Sequence, residues 1–237
     1  MPVPGTDGST LVEALSRARS GDTMLLTSEV HHVAGGILVP PTMELRVASG
    51  FGTAAGEAVL PKRVSARVET QGSWLLSEGS RGSFSGCSIR LRTDECSEPA
   101  IELLGGTWAF DWCTIQAYAN SSNVTIVGGT AIVARGLSEL RVVECTVGGR
   151  GHGRWCADAL VAHESAELQM ERTCLEFARI VGLRCLGEAS VLVHEGVISD
   201  CGRGVSVGGE ASVTVNPLPK RTDLLWRVQV LKNWRLK

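Results

Sequence analysis

The sequence predicts an all-β fold, a single-stranded right-handed parallel β-helix with a short N-terminal capping helix, and three observations predict it. The first is a unit written five times over: apolar-x-apolar, turn, apolar-x-apolar, two residues, a small residue, x, apolar. Aligned on its middle pair, it reads Trp108/Phe110 with Cys113 and Ile115, Leu140/Val142 with Cys145 and Val147, Leu168/Met170 with Thr173 and Leu175, and Val191/Val193 with Gly196 and Ile198, closing on Val213/Val215. The second is the period, with steps of 32, 28, 23 and 22 residues between those pairs. The third is a near-constant lead: Ile101 stands seven residues before Trp108, while Ile132, Leu160, Leu183 and Val205 stand eight before Leu140, Leu168, Val191 and Val213. Short alternating strands on a period near 22 residues stack coil on coil by parallel pairing. A β-sandwich would not preserve that lead through five units.

The elements follow in chain order. Asp7-Gly8-Ser9-Thr10 opens a stretch in which Leu11, Ala14, Leu15 and Ala18 share one helical face, with Ser9 or Thr10 as the cap and Glu13 able to reach back. Ser20-Gly21-Asp22 ends the helix, and Thr23 to Leu26 reads as the first strand. A helix here covers the open end of the stack, which otherwise exposes unpaired strand groups and an apolar cross-section. Ile37-Leu38-Val39 runs into Pro40-Pro41, and Leu45 and Val47 point one way before Ser49-Gly50-Phe51-Gly52 turns. Trp74 and Leu76 precede Gly82 and Phe84 by eight residues, in register with the later units, so the repeat spans about residues 24 to 215. Seven to nine coils at about 4.8 Å each make a rod about 40 Å long.

Bulk composition agrees with one domain. The chain has 237 residues, 43% of them hydrophobic, and a formal charge of -2, which excludes a globally basic nucleic-acid binder. Its 28 glycines suit a fold made of tight turns. No run of 18 apolar residues offers a membrane-spanning helix. Met1 to Ser9 holds neither a basic region nor an apolar core, so no secretory signal is expected, processing of a longer precursor aside.

Eight cysteines could mark a secreted disulfide scaffold, but a domain of this size and apolarity does not need staples. Cys87, Cys113 and Cys145 occupy one slot of successive units, two residues before Ile89, Ile115 and Val147, and are expected to stack inward about 4.8 Å apart. That spacing permits a disulfide. The reading taken is small buried thiols, reduced, in a reducing intracellular compartment. No histidine or carboxylate accompanies the ladder, so no metal site and no cofactor is expected there.

The organisation resembles the right-handed parallel β-helix of the pectate-lyase-like superfamily. The resemblance rests on Ser9-Thr10-Leu11-Val12-Glu13-Ala14-Leu15 through Ala18, on Gly21-Asp22-Thr23-Met24-Leu25-Leu26 followed by Leu45-Arg46-Val47, and on the Cys-Thr-Ile and Cys-Thr-Val coils, over most of residues 7 to 215. It is similar above all to the carbohydrate-binding and sugar-hydrolase-like repeats of intracellular, non-enzymatic β-helix proteins. The same rod hosts lyases, hydrolases, adhesins and inert scaffolds, so the resemblance implies a fold and not an activity.

Inserts that stretch the period fall at one corner: Leu91 to Pro99, Gln116 to Gly129 and Gly148 to Asp158. Stacked, they form a lateral ridge holding Arg92, Asp94, Glu95, Tyr118, Asn120, Asn123, Arg150, His152, Arg154 and Trp155, an aromatic and arginine mixture suited to contact. Asn120 and Asn123 match the glycosylation pattern, unused without secretion. Gly151-His152-Gly153 is similar to a polygalacturonase motif, with Arg179-Ile180 downstream. Inverting hydrolysis needs two carboxylates around a water, and here Asp158 stands alone. A calcium-assisted lyase needs clustered carboxylates, whereas Asp94, Asp111, Glu144, Asp158, Glu171 and Glu195 are spread over different coils. His163-Glu164 and His194-Glu195 belong to different corners and do not converge on a metal; neither a Gly-x-Ser-x-Gly elbow nor a phosphate-binding loop is present.

After Asn216-Pro217-Leu218-Pro219 the repeat ends. Residues 220–237 carry Lys220, Arg221, Arg227, Lys232, Arg235 and Lys237 against Asp223, six minus one or +5, with Trp226 and Trp234 among apolar neighbours. This basic-aromatic tail, set apart from the β-helix of residues 1–219, is read as a cover for the last coil or a docking arm, with RNA or another anionic surface the less favoured partner. The functional expectation is a non-enzymatic scaffold or protein-binding module of a larger assembly, meeting another protein through Tyr118, Arg150, His152, Arg154, Trp155, Arg227 and Trp234. The alternative is a carbohydrate-binding protein or a polysaccharide lyase or hydrolase using His152 and Asp158, with Arg154 and Trp155 beside them.

Overall fold

A computed structural model describes residues 2–3, 8–50, 66–93, 98–119, 128–150 and 155–216. Its strands form three parallel sheets, and the chain visits them in strict rotation. The first sheet holds Asp22–Leu26, Glu44–Ser49, Arg81–Ser85, Gly106–Asp111, Ser138–Val143, Glu167–Glu171, Ser190–His194 and Ser212–Asn216. The second holds Val30–Val33, Ala66–Thr70, Cys87–Thr93, Thr114–Ala119, Thr146–Gly148, Cys174–Glu176 and Val197–Ser199. The third holds Ile37–Val39, Trp74–Leu76, Ile101–Leu103, Ile132–Ala134, Cys156–Ala162, Ala178–Cys185 and Arg203–Val207. One strand from each sheet makes a coil, and parallel crossovers of this kind take the right-handed sense. Pro2–Val3 adds a ninth strand to the first sheet beside Asp22–Leu26, an element absent from the sequence reading because two residues carry no periodicity.

The register converts the constant lead into a stack. Ile37, Trp74, Ile101, Ile132, Leu160, Leu183 and Val205 pair rung by rung along the third sheet, and all are buried. In the first sheet Val47, Phe84, Phe110, Val142, Met170 and Val193 form a second inward column. Phe84 and Phe110 stack at 5.1 Å between ring centroids, and Trp74 meets Phe84 edge-on at 5.2 Å. Alternation along each strand sends every second residue into this core, so a period of two in the sequence becomes one continuous apolar column in space.

One glycine is fixed by that packing. Gly82 pairs with Leu45 and Trp108 in an inward row that continues through the buried Leu140, Leu168 and Val191. A Cβ there would stand 1.8 Å from the Leu45 carbonyl oxygen and 2.9 Å from the Trp108 ring. The Trp108 indole occupies the room that Gly82 leaves, and its Nε1 donates to Ser80 Oγ at 3.1 Å.

The helix Gly8–Arg17 lies at the N-terminal end, with Leu11 and Ala14 buried in the core and Leu15 and Ala18 packed against it. That is the face the spacing predicted; the side chains of the expected caps, Ser9 and Thr10, lie outside the described residues. The basic-aromatic tail at 220–237, with Arg227 and Trp234, also lies outside them.

The turn from the first sheet to the second repeats in every coil from Gly86 onward. Gly86, Trp112, Glu144, Arg172 and Glu195 all have positive φ, between 45° and 64°, and each directly precedes the small slot residue Cys87, Cys113, Cys145, Thr173 or Gly196. A left-handed residue reverses the chain sharply enough to bring the slot side chain inward. The backbone N–H of the left-handed residue donates to the next coil: Gly86 to Asp111, Trp112 to Val143, Glu144 to Glu171 and Arg172 to His194, at 2.9 to 3.0 Å.

Candidate functional site

The three long inserts leave the same corner of three successive coils, between the second sheet and the third, as expected. Their boundaries differ from the sequence reading, because the strands run further into them. Arg92 and Tyr118 belong to strands Cys87–Thr93 and Thr114–Ala119, paired directly with each other, and Asp158 belongs to Cys156–Ala162.

These strand residues are correspondingly less available than loop residues. Tyr118 is fully buried, with the Arg150 guanidinium carbon 5.7 Å above its ring centroid, a cation–π arrangement that leaves the exposed Arg150 as the outer surface. Gly128 packs so closely on the Tyr118 backbone that a Cβ would lie 2.3 Å from its Cα. Trp155 meets Phe177 edge-on at 5.8 Å. Asp158 is buried, and its Oδ1 accepts a hydrogen bond from Arg184 Nη2 at 3.0 Å. His152, Arg154, Asp94, Glu95, Asn120 and Asn123 lie outside the described residues.

The cysteine ladder is where the spacing put it. Cys87, Cys113 and Cys145 are buried free thiols, and Cys156, Cys174, Cys185 and Cys201 are also free. Burial pushes the Cys87 thiol up to about 12, and burial pushes Cys174 and Cys185 up to about 11. Cys113 is raised first by its hydrogen bond with Cys145 and then by burial. A thiol so far above neutrality holds almost no thiolate, the form that attacks or ligates.

A second group of polar residues went unnoticed in the sequence because it is assembled across coils. On the outer face of the second sheet, Arg67 pairs with Ser88, His32 with Glu69 and Glu69 with Arg90, while Arg92 stands one step further along its strand. Glu69 lies among four cationic or titratable neighbours: His32 Nδ1 at 3.4 Å, Arg92 Nη1 at 3.4 Å, Arg67 Nη1 at 3.7 Å and Arg90 Nη1 at 3.9 Å. Its side chain is 11% exposed, against 36% for Arg67, 17% for Arg90 and 41% for Arg92. Burial and the neighbouring Arg67 charge push the Arg90 guanidinium below its usual range, with Arg150 adding to the effect and Tyr118 and Glu69 opposing it. A pairing of outward residues at i and i+2 on stacked strands would have revealed the group, but only after the register was known.

A third feature lies on the left-handed corner. Trp112 is 59% exposed, its Nε1 donates to Glu144, and Glu144 accepts from Arg172 Nε at 2.9 Å, so side chains of three successive coils form one outward chain. The hydrogen bonds from Trp112 and then Arg172 hold the Glu144 carboxyl below its usual range.

No protein-family model, curated protein or solved structure matches this chain.

Proposed function

We propose that this protein is a non-enzymatic β-helical binding module that engages another protein through the lateral face running from Arg67, Arg90 and Arg92 to Arg150, with the buried Tyr118 ring supporting Arg150 from beneath and making no contact itself. The observation that carries the reading is the concentration of Arg67, Arg90 and Arg92 around Glu69 on the outer face of the second sheet. Arginine is among the residues that dominate the energetics of protein contacts, and a solenoid face presents it on an already ordered backbone. His152, Arg154, Arg227 and Trp234 belong to the same proposal as loop and tail contacts. Three stacked parallel sheets supply a rigid scaffold for such a contact, and free thiols at the buried ladder are consistent with a reducing compartment.

The test is co-purification from the native source. A partner retained by the wild type, lost with Arg67→Glu plus Arg92→Glu or on deletion of residues 220–237, and retained by Arg203→Glu on the third sheet, supports the reading. In parallel, acidic and neutral polysaccharides with and without calcium are assayed for reducing ends and unsaturated products. Turnover that disappears with His152→Ala or Asp158→Asn overturns it in favour of an enzyme.

A second reading, carbohydrate binding, is favoured by Trp112. An exposed indole held by Glu144 beside Arg172 presents an apolar ring face flanked by polar groups, the arrangement that a sugar ring stacks on. Loss of polysaccharide retention in Trp112→Ala, with Arg67 and Arg92 intact, separates this reading from the first.

A further inference from the structure

The two ends of the rod are finished differently. At the first coil the inward residues of the first and third sheets, Met24, Leu26, Ile37 and Val39, are all buried, and the helix Gly8–Arg17 sets Leu11 into the same core. At the last coil the columns run out. Val207 is 49% exposed, Val215 is 40% exposed and Val213 is half-buried, although their partners one coil back, Cys185, Val193 and Val191, are buried. Arg203–Val207 and Ser212–Asn216 are also the last strands of their sheets, each paired along one edge only among the described residues. Such an end offers an apolar cross-section and a row of unmatched N–H and C=O groups. Its rim is acidic: residues 186–216 hold Arg203 against Glu188, Glu195, Asp200 and Glu210, one minus four or -3. Beyond Pro219 the spacing of the repeat resumes. Trp226 and Val228 stand 21 residues after Val205 and Val207, and Trp234 and Leu236 stand 21 after Val213 and Val215. Trp226 comes eight residues before Trp234 and Val228 eight before Leu236, the same lead that Val205 keeps before Val213. Only the rung between them is unwritten, where Pro217 and Pro219 cannot donate to a ladder.

We infer that the open end is covered by this chain's own residues 226–236, docked as a last, partial coil: Trp226 and Val228 extend the third sheet beyond Val205 and Val207, and Trp234 and Leu236 extend the first beyond Val213 and Val215. The segment starts where it is needed. From Asn216 to Trp226 are ten residues, which reach up to about 33 Å and so pass the missing rung with ease. Charge favours the same occupant, since residues 220–237 carry +5 and meet a rim of -3. A second copy suits the end less well: facing ends would bring two +5 tails together, and the opposite end of a neighbour is already covered by its helix. Alternation along the added strands turns Arg227 and Arg235 outward, so a docked coil keeps Arg227 for a partner and withdraws Trp234 from that role, whether or not the binding-module reading holds. One position is strained. Four residues after the lead, Gly136, Glu164, Gly187 and Gly209 all have φ between 61° and 73°, and the tail places Val230 there, a branched residue that disfavours the left-handed region.

Hydrogen-deuterium exchange on the purified full chain tests it, with a synthetic peptide of residues 217–237 as the unprotected reference. Amides of residues 226–236 are expected to exchange at least about tenfold more slowly in the protein than in the peptide. Val207→Asp with Val215→Asp is expected to return them to the peptide rate, while Leu38→Asp at the opposite end leaves them slow. Exchange at Ile132–Ala134 reports whether each variant is folded, and Trp226→Ala with Trp234→Ala removes the same contact from the tail side should the valine variant fail to fold. Val230→Gly relieves the left-handed corner and is expected to slow exchange further; in a helical cover the same glycine speeds it, so unchanged or faster exchange overturns the coil. A wild-type tail exchanging at the peptide rate overturns it, as does slow exchange indifferent to both double variants. Protection that fades on dilution as a dimer dissociates assigns the end to a second copy and overturns it too. Because partner retention is read separately by pull-down, a protected tail with no partner retained defeats the module reading alone, and a retained partner with an unprotected tail defeats the last coil alone.

Discussion

The backbone N–H of Cys113 donates to the Sγ of Cys145, one coil above it, at 3.2 Å. Cys145 Sγ in turn lies 3.3 Å from the Phe110 carbonyl oxygen in the coil below, and Cys113 Sγ lies 3.4 Å from that of Phe84. The next slot is filled by Thr173, whose hydroxyl accepts from the Cys145 N–H at 3.4 Å and donates to the Val142 carbonyl at 3.1 Å. Thiol and hydroxyl therefore do the same work in the same column: they tie the corner of one coil to the strand of its neighbour.

A substitution series at Cys145 follows from that equivalence. Cys145→Thr keeps an acceptor and a donor and is expected to change stability by less than about 1 kcal/mol, while Cys145→Ala strands the buried Cys113 N–H and is expected to cost about 1–3 kcal/mol. Urea unfolding of the two variants checks it. Equal losses would show that the slot selects for volume and not for hydrogen bonding.

Gly82 inside the strand Arg81–Ser85 and Gly86 at the corner that follows it make a second comparison. Gly82→Ala places a methyl against the Leu45 backbone and the Trp108 ring, and overpacking of this kind costs about 1–3 kcal/mol or more. Gly86→Ala meets nothing nearer than 3.6 Å, so its cost is the left-handed backbone alone, about 1–2 kcal/mol. The difference is visible spectroscopically: near-ultraviolet circular dichroism from Trp108 is expected to change in Gly82→Ala and to stay constant in Gly86→Ala.

Much of this fold was legible in the sequence because a solenoid repeats its physics. The inward columns through Ile101 and Phe110 and the cysteine slot all depend on one period, and five copies of a pattern average out local ambiguity. The face around Glu69 was not legible in the same way. Arg67, Glu69, Arg90 and Arg92 are spread over 26 positions, and what joins them is a strand register interrupted by corners of unequal length. Tyr118 and Asp158 were placed in loops because an insert can be seen in the spacing while the residue at which a strand stops cannot. Trp112 was missed for a related reason: its exposure follows from a left-handed turn, which a tryptophan does not advertise.

Acid is expected to weaken the N-terminal end. His31 is buried on the inward column of the second sheet, paired with Val68, and burial pushes its imidazole below the usual value of 6.5, with the Ser28 backbone opposing. An imidazole lowered in the folded state takes its proton first in the unfolded chain, so stability contributed at neutral pH is lost as pH falls below about 6.5. Over the 1.5 units from 6.5 to 5 the loss is at most about 2 kcal/mol. His31→Ile, matching Ile89 two rungs on, is expected to remove that part of the acid dependence, measured as urea midpoints of both proteins at pH 7 and pH 5. Parallel pH profiles for the two proteins would rule out a contribution from His31.

Asp158 carries the remaining prediction, because the enzymatic alternative and the structural role part company there. Its Oδ1 is occupied by Arg184 Nη2 at 3.0 Å, from the adjacent strand of the third sheet, and its own carbonyl accepts from Ala131 N–H at 3.1 Å. The residue thus joins three coils at the corner from which the long inserts leave. Asp158→Asn weakens a charge-assisted hydrogen bond and leaves Arg184, itself 30% exposed, facing a neutral amide, at an expected cost of about 1–2 kcal/mol. Arg184→Gln alone is expected to cost a similar amount, and the double variant less than the sum, with a coupling of about 1 kcal/mol or more for side chains in direct contact. Thermal or urea unfolding of the four proteins closes the cycle. Additive losses would mean that the pair is incidental, and the carboxylate would then be available for chemistry after all.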